Sequence, residues 1–446
     1  MCRTHQQLLL TVWTGADSHP AVDVPKAKRA RLTAMGTGKF VFSLLPFCVA
    51  ALYADDAARD AAIASNRMGA LYIRTVPGAR VSVEQVRHEF WFGATLPGGI
   101  FSGRSSPEDI VKWKEIFTGH FNAGVPEADF KWDVMERQQG QVNFAVVDNM
   151  LAWAAREGIP LRGHCIFWGV PNHVQTWLKE MSDEDFQTTV ARRARTIGAR
   201  YRGQFAEYDL NNEMMHANYY EQRFGIDFIR RMALWVKDGD PDAKLFVNDY
   251  DVTTGNRLDD YVKHIRRLLD AGVPLSGIGV QGHLHGDSFD PAALEKALDE
   301  LSQFRLPIRI TEYNFPGQRS KYYTGDRRAV MPPEEEQAKA EALTQYYTIC
   351  FAHPSVTGIM MWGFWEGANW IPQSSLYKRD WTPLAAAKAY EDLVLNKWWT
   401  RWAGTADAAG RAELRAFYGT HKVTVNGKET MVTLTKAEGS KIVTLN

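Results

Sequence analysis

The sequence predicts an α/β fold, a (β/α)8 TIM barrel with a small antiparallel β appendage from the N- and C-terminal segments. From about residue 87 onward, eight short apolar or β-branched runs alternate with longer helical patterns. The uninterrupted apolar character of these runs favours a parallel sheet buried on both faces. The predicted strands are 89–96, 120–125, 161–167, 207–212, 245–250, 277–282, 308–312 and 358–362.

Helices between the strands are indicated by their caps. Asp290 and Pro291 precede the segment 292–304, which places an acidic N-cap and a first-turn proline at its start. Pro333 is followed by the three acids 334–336, which favour the positive end of a helix dipole. The helix that begins at Pro333 is predicted to run to about residue 351.

The two ends of the chain differ from the barrel, which is predicted to span residues 87–398. Residues 55–86 are predicted as an N-terminal helix and a β hairpin that turns at Pro77-Gly78. Residues 399–446 are predicted as a C-terminal β appendage, because Asn426-Gly427 between alternating runs is a strong hairpin signal. The appendage could bind polysaccharide, but a structural role in covering sheet edges is the favoured interpretation.

The first 54 residues have the pattern of a leader or signal peptide. Residues 40–54 carry no charge, follow Lys39 and form a run too short for a comfortable membrane span. Met35 lies where such a signal begins, so residues 1–34 are interpreted as an over-extended start. We therefore expect a secreted or periplasmic protein with no membrane contact in its mature form; a retained N-terminal anchor is the alternative.

Composition narrows the class of protein. Of 446 residues, 45% are apolar and 23% are charged, which is an ordinary globular balance. A formal net charge of zero gives no reason to expect nucleic acid as a partner. Cys165 and Cys350 fall in apolar runs without disulfide or metal-ligand spacing, so we expect buried free thiols. We also expect a monomer.

Two glutamates at the ends of strand-like runs carry the functional prediction. Glu213 ends the run 208–213 and Glu312 ends the run 308–312. The C-terminal ends of the strands of such a barrel lie at one face, and this face carries the active site in enzymes of this fold. Two facing carboxylates are what glycosidic-bond hydrolysis needs, one to protonate the leaving oxygen and one for the anomeric carbon. No cofactor is predicted, and the histidines lack a helical ligand pair, which disfavours a metal site.

Polar and aromatic side chains also stand at or just beyond the ends of the other strands. Each of them alone could cap a helix or lie in the core, but together they predict a polar cleft lined by aromatic rings. These candidates are Glu127, Lys131, His164, Trp168, Asn212, Tyr250, Gln281, His283, Asn314, Trp362 and Trp370.

Six segments of the chain resemble motifs of one family in the correct order, and two of them are Gln281-x-His283 and residues 362–370. Segments 130–133, 161–168, 208–213 and 310–312 resemble the M-K-W-D, R-G-H-x-x-x-W, W-D-V-x-N-E and I-T-E motifs of glycoside hydrolase family 10, the endo-β-1,4-xylanases. The resemblance spans about residues 82–396. It implies a retaining enzyme that hydrolyses internal xylosidic bonds of xylan by double displacement.

The resemblance also implies roles for the residues nearest the reaction. Glu213 would be the acid/base and Glu312 the nucleophile. Asn212 would bind the sugar 2-hydroxyl, and His283 would hold the carboxylate of Glu312. Asn314 stands where an aspartate commonly orients that histidine, so we expect an altered pH profile.

The remaining candidates would bind the polysaccharide. Ala128 replaces an asparagine common in the family, which leaves open a related β-1,4-glycanase acting on glucan or decorated xylan. A weakly active carbohydrate-binding protein is a further alternative. The implied substrate-binding residues are Glu127, Lys131, His164, Trp168, Tyr250, Gln281, Trp362 and Trp370.

Overall fold

The computed structural model describes residues 45–284 and 289–445, and the side chains of residues 56–284 and 289–445. The strands are β1 (Met68–Arg74), β2 (Arg80–His88), β3 (Trp91–Leu96), β4 (Ala123–Pro126), β5 (Arg162–Gly163), β6 (Phe167–Trp168), β7 (Glu207–Asn212), β8 (Leu245–Asp249), β9 (Leu275–Val280), β10 (Ile308–Tyr313), β11 (Val356–Met361), β12 (Arg401–Thr405), β13 (Arg411–Phe417), β14 (Gly419–Val425), β15 (Lys428–Leu434) and β16 (Ser440–Thr444).

Helices follow most of the barrel strands. The α-helices are α1 (Leu45–Arg67), α2 (Gly98–Ser102), α3 (Pro107–His120), α4 (Trp132–Met135), α5 (Ala145–Glu157), α6 (Thr176–Lys179), α7 (Asp183–Arg200), α8 (Tyr219–Phe224), α9 (Ile226–Gly239), α10 (Leu258–Asp270), α11 (Pro291–Ser302), α12 (Lys321–Thr324), α13 (Pro333–Ala352) and α14 (Ala385–Tyr390). Three 3₁₀ turns (Pro171–His173, Glu366–Ala368, Pro372–Ser374) and a π-helical segment (Glu391–Lys397) complete these elements.

Strands β3 to β11 form the predicted barrel of parallel strands. Their order is β4-β3-β11-β10-β9-β8-β7-β5, with β6 also pairing to β7. A parallel bridge between Gly124 and Leu161 joins β4 to the chain just before β5 and closes the ring. Each of the eight predicted runs overlaps a strand, and the third run is divided between β5 and β6. The predicted fold class is therefore confirmed.

The two helices predicted from their caps are present. Helix α11 begins at Pro291, and the side chain of Asp290 accepts a hydrogen bond from the backbone N–H of Ala292. Helix α13 begins at Pro333 and ends at Ala352, with three glutamates in its first turn. Both lie outside the barrel, where they cover the apolar strands.

The segment predicted as an N-terminal hairpin is not one. It does turn near Pro77-Gly78, but β1 pairs with β13 and β16, whereas β2 pairs with β12 and β14. The two strands therefore belong to different sheets. The physical reason is that both have an apolar face, Leu71 on one and Val83 on the other, and these faces bury a common core between the sheets.

The C-terminal hairpin is present as predicted. Strands β14 and β15 pair antiparallel in register from Gly419–Leu434 to Val425–Lys428. Asn426 and Gly427 connect them, and both have positive φ angles, 47° and 85°. This is the conformation that the Asn-Gly pair adopts readily.

The predicted leader lies mostly outside the described residues, as does Met35. Helix α1 begins at Leu45, inside the segment predicted as a leader. No helix of residues 45–284 or 289–445 combines the length and apolar character needed to cross a membrane. Within the same residues, Cys165 and Cys350 are buried and unpaired, as predicted.

Candidate active site

Glu213 and Glu312 lie at the same end of the barrel and share a neighbour. Glu213 directly follows β7, and Glu312 is the fifth residue of β10. The side-chain amide of Gln281 donates a hydrogen bond to Glu213 Oε1 at 2.8 Å. The backbone carbonyl of Gln281 accepts from the N–H of Glu312 at 2.5 Å. One residue after β9 thus connects both carboxylate-bearing residues.

The carboxylate of Glu312 is buried among hydrogen-bond donors and cationic groups. Asn248 Nδ2 donates to Oε1 at 2.8 Å, and His283 Nε2 lies 3.2 Å from Oε2. His164 Nε2 lies 4.0 Å from Oε1. Burial alone would raise the pKa of Glu312, but His164, His283 and Lys131 outweigh it and lower the pKa to about 2. This carboxylate is therefore ionised at neutral pH, as a nucleophile must be.

The pKa of Glu213 is shifted in the opposite direction. Burial raises its pKa, and the negative charge of Glu312 adds to the effect. Hydrogen bonds from Gln281 and from Trp168 Nε1, at 3.0 Å, partly oppose the rise. Two carboxyl groups whose pKa values are driven apart in one cleft can divide the roles of proton donor and nucleophile.

The backbone of Glu213 adopts a left-handed conformation with a φ angle of 58°. This conformation is unfavourable for a residue with a Cβ and is concentrated at functional sites. The N–H of Glu213 donates to the carbonyl of Asn248 at 2.8 Å, which fixes the turn. The turn directs the side chain of Glu213 away from the strand and toward Gln281 and Trp168, which donate hydrogen bonds to its carboxylate.

An amide network places Asn212 beside the two glutamates. Asn248 Nδ2 donates to Asn212 Oδ1 at 2.9 Å as well as to Glu312, and Asn248 Oδ1 accepts from Thr311 Oγ1 at 2.6 Å. These contacts leave the NH₂ group of Asn212 available for a sugar hydroxyl. No role for Asn248 is predicted from the sequence, although its position at the end of a predicted strand is a signal for one.

A column of buried charges fills the barrel below the site. Arg309 makes two hydrogen bonds to Glu207, at 3.0 and 3.1 Å, and Glu207 also pairs with Arg162. Arg162 pairs in turn with Asp209, which accepts from His164 Nδ1 at 2.9 Å. The column orients His164 toward the nucleophile. Charged residues inside otherwise apolar strands were the sequence signal for it, because burying a charge is costly unless it is paired.

Glu127 and Lys131 follow β4 and face the same cleft. The Lys131 ammonium lies 4.6 Å from the ring centre of Trp168 and 5.9 Å from that of Trp362. Burial raises the pKa of Glu127 to about 7, with Lys131 opposing the shift and Glu312 adding to it. The pair provides donors and acceptors for sugar hydroxyls between two indole walls.

Two tryptophans pack against the two histidines that lie beside Glu312. The Trp362 ring meets His164 edge-on at a centroid distance of 5.2 Å and is 6% exposed. The Trp370 ring lies 5.3 Å from that of His283. The rings exclude water from the histidines that hold Glu312, and this strengthens the electrostatic contacts there.

His283 is held on its other side by Asn314. Its Nδ1 lies 2.6 Å from Asn314 Oδ1. The amide nitrogen Nδ2 of Asn314 is buried without a hydrogen-bond partner among the described residues. An aspartate at this position would leave no such unpaired donor.

Two stacked pairs of rings flank the glutamates, and sequence reasoning missed the histidine of each. His173 stacks on Trp168 at 3.4 Å, and His216 stacks on Tyr250 at 3.4 Å. His216 Nδ1 lies 2.7 Å from Asp249 Oδ1. Burial lowers the pKa of His216, but hydrogen bonds to Asp249 and a second aspartate raise it to about 9. No residue spacing indicates that these histidines stack on aromatic rings.

The structure brings all the predicted site residues to one end of the barrel, while their individual roles stay predictions. Gln281, predicted to bind hydroxyls, also donates a hydrogen bond to Glu213, the predicted acid. Among residues 45–284 and 289–445, no group of three or more His, Cys, Asp or Glu is arranged to hold a metal ion.

Comparison with known proteins identifies relatives of this barrel. The model of glycosyl hydrolase family 10 matches residues 84–393. The anti-sigma-I factor RsgI6 of Acetivibrio thermocellus is 33% identical over 353 residues, which are 79% of this chain and 43% of that protein. Endo-1,4-beta-xylanase 1 of Arabidopsis thaliana is 32% identical over 381 residues, which are 83% of this chain and 37% of that protein.

Solved structures share the fold. The native xylanase 10B from Thermotoga maritima superimposes with a TM-score of 0.61 at 22% identity, covering 69% of this chain and 96% of that one. A xylanase 10B from Thermotoga petrophila RKU-1 in complex with xylobiose gives a TM-score of 0.60 at 22% identity, covering 69% and 95%. This chain spans less than half the length of the two curated relatives named above.

Proposed function

Because the chain belongs to glycosyl hydrolase family 10, we propose that it is a retaining endo-β-1,4-xylanase that cleaves internal xylosidic bonds of xylan. The observation that carries the proposal is the pair Glu213 and Glu312, which lie in one cleft, both contact Gln281 and have pKa values shifted in opposite directions. Such a pair suits double displacement, in which one carboxyl group donates a proton while the other attacks.

In the first step, an oxygen of the Glu312 carboxylate attacks the anomeric carbon. The bond from that carbon to the leaving sugar oxygen breaks, and Glu213 gives its proton to this oxygen. The product is a glycosyl ester on Glu312, whose negative charge is then lost. Since that charge had raised the pKa of Glu213, its loss lowers the pKa and converts Glu213 into a base.

In the second step, Glu213 accepts a proton from a water molecule while the water oxygen attacks the anomeric carbon. The ester bond breaks, Glu312 regains its negative charge, and Glu213 is again protonated. We expect Asn212 to bind the sugar 2-hydroxyl, a contact that strengthens in the transition state. His283 and Asn248 hold the Glu312 carboxylate throughout.

The test is release of xylo-oligosaccharides from xylan. Glu213→Ala and Glu312→Ala should each lower kcat by about 10² to 10⁴-fold, the usual contribution of such groups. Glu108→Ala removes an exposed carboxylate from helix α3 and is the matched control. Early products longer than one sugar would support internal cleavage. Full activity in either site variant would refute the proposal.

A second candidate is a weakly active polysaccharide-binding protein, favoured by similarity to a relative that is named as an anti-sigma-I factor. A related glycanase acting on glucan is the alternative suggested by Ala128. Parallel assays on xylan and cellulosic substrates separate the glycanases, and binding without turnover would support the binding protein. Both catalytic glutamates being present favours an enzyme.

Export belongs to the same proposal. Xylan is a polymer outside the cell, so an enzyme acting on it has to be secreted or held in the periplasm. Detection of the protein in the culture medium or periplasmic fraction would support this location. Retention in the cytoplasm would contradict it.

A further inference from the structure

A groove of about 750 Å³ beside the cleft carries a concentration of positive charge. It is formed by the segment before helix α13 and by the chain that follows strand β11. Four of its lining residues are cationic, and we call it the basic groove after them. They are Arg327, Arg328, Lys378 and Arg379.

The basic groove lies on the catalytic side of the barrel. Its segments follow β10 and β11, and connections after barrel strands form the face that bears the site. The Trp370 ring, which contacts His283, also lies 5.2 Å from the Tyr323 ring. Arg327 sits 4.2 Å above that Tyr323 ring. Only two rings therefore separate the groove from the histidine that holds the nucleophile.

The wall between the groove and the cleft is well packed. Met331 lines the groove and belongs to an apolar cluster against which Trp370 packs. The Gln373 amide donates to the carbonyls of Arg327 and Ala329, at 3.0 and 2.8 Å, and so ties the two segments together. These contacts hold the backbone of the segment that carries Arg327 and Arg328 beside the cluster on which Trp370 packs.

The positive charge of the groove is available to a ligand. Of its two acids, Glu336 pairs with Lys339 at 2.8 Å, and Glu366 accepts from the backbone N–H of Arg379 at 2.9 Å. Within the described part of the chain, the side chains of Arg328 and Lys378 make no salt bridge and are exposed. An anionic group would meet donors that no carboxylate of the protein already occupies.

We propose that the basic groove binds the carboxylate of a uronic acid substituent on the xylan backbone. Guanidinium groups match carboxylate geometry and form charge-assisted hydrogen bonds with it. A backbone lying along Trp370 would carry a substituent toward the groove, since Trp370 contacts His283 on the cleft side and packs against the apolar cluster of Met331, which lines the groove. This inference rests on the proposed function and names the substrate as acidic rather than neutral xylan.

The experiment compares a uronate-substituted xylan with the same polymer after its carboxyl groups are reduced to alcohols. The variant Arg328→Gln/Arg379→Gln removes two positive charges and keeps a polar side chain at each position. We expect its KM for the acidic polymer to rise about five- to tenfold, as loss of charge-assisted contacts would cause, and to stay unchanged for the reduced polymer. The difference in KM for the acidic polymer between the wild type and the variant should be smaller in 0.5 M salt, which screens exposed charges.

Lys263→Gln/Lys296→Gln is the matched control, because it removes two exposed cations from helices α10 and α11. The control should leave KM unchanged for both polymers. Equal effects of the groove variant on the acidic and reduced polymers would overturn the inference, as would no effect on either. Thermal unfolding of each variant shows whether the fold is retained.

Calorimetric binding of an acidic xylo-oligosaccharide separates this inference from the proposed function. If the wild-type chain hydrolyses neither polymer, the proposed activity fails. The inference about the basic groove is still supported if the wild type binds the acidic oligosaccharide more tightly than the reduced one and Arg328→Gln/Arg379→Gln loses that preference. If both polymers are hydrolysed but the wild type binds the acidic and the reduced oligosaccharide equally well, the proposed function is kept and only the inference about the basic groove is refuted.

Discussion

At the scale of single residues, the protonation of Glu213 depends on the donors that face it. Trp168 Nε1 donates to Glu213 Oε2, a bond that favours the ionised form and so lowers the pKa. Trp168→Phe keeps the ring and removes this donor. The pKa of Glu213 should rise, and the alkaline limb of the kcat/KM profile should move to higher pH.

A pH–rate series from pH 4 to 10 measures this effect. Trp177→Phe is the control, because the Trp177 indole N–H has no hydrogen-bond partner among the described residues. The control should leave the alkaline limb in place. An unmoved or lowered limb in Trp168→Phe would mean that the bond does not tune the acid.

Asn314 supports a second prediction at this scale. Asn314→Asp replaces an unpaired buried amide nitrogen by a carboxylate next to His283. A carboxylate favours the charged imidazole, so the limb of the pH–rate profile that depends on His283 should move to higher pH. Asn256→Asp adds the same charge at an exposed position and should not move it. A superimposable profile for Asn314→Asp would refute the idea.

The candidate site could be predicted in large part from the sequence because its residues stand at strand ends. Glu213 and Glu312 end apolar runs, and a parallel barrel brings such ends together. The stacks of His173 and His216 on aromatic rings could not be predicted. They depend on the paths of the chain between barrel strands, which hydrophobic periodicity does not determine.

At the scale of elements, the turn after β9 positions two site residues at once. Gly282 separates Gln281, which contacts Glu213, from His283, which contacts Glu312. Its φ angle is 81°, and an added Cβ would lie 2.5 Å from Ile310 Cγ2. Only glycine fits this turn without displacing its neighbours.

Gly282→Ala should therefore lower kcat/KM about tenfold or more and the free energy of unfolding by about 1–3 kcal/mol. Gly203→Ala is the matched control. Gly203 also has a positive φ angle, 70°, but an added Cβ would meet nothing within 4 Å. The control should lose some stability and no activity. Equal activity in both variants would show that the turn does not position the site.

The barrel strands could be predicted from the sequence because each is apolar over its whole length. The N-terminal hairpin was wrong because local alternation shows that a segment is a strand but not which strand is its partner. Strand β1 pairs with residues 411–417, and β2 pairs with residues 401–405 and 419–425. Such distant partners cannot be identified from a turn signal alone.

At the scale of the whole molecule, two buried histidines lie on the paired strands β2 and β14, and one of them links the barrel to the appendage. His88 contacts Phe92 of the barrel and Phe417 of the appendage, and His421 lies on the neighbouring strand β14. Burial lowers the pKa of His88 to about 3 and that of His421 to about 4. Both are neutral in the folded protein above these values.

The consequence is loss of stability in acid. The unfolded chain takes up protons on these histidines below about pH 6.5, whereas the folded chain does so only near pH 3 to 4. The free energy of unfolding should therefore fall as the pH decreases from 6.5 to 4. In His421→Phe this fall should be smaller, whatever its stability at pH 8. Urea unfolding across this range measures it, and an identical slope would contradict the assignment.

The displacement mechanism itself can be tested with a 2-deoxy-2-fluoro-β-xylobioside that carries a good leaving group. The fluorine slows both steps, and the reactive leaving group lets the first step proceed, so the glycosyl ester accumulates. Mass spectrometry of the intact chain and of its peptides then locates the added sugar. We predict one fluoroxylobiosyl group, attached to Glu312. A label on any other residue, or turnover of unmodified substrate with no label formed, would contradict the account.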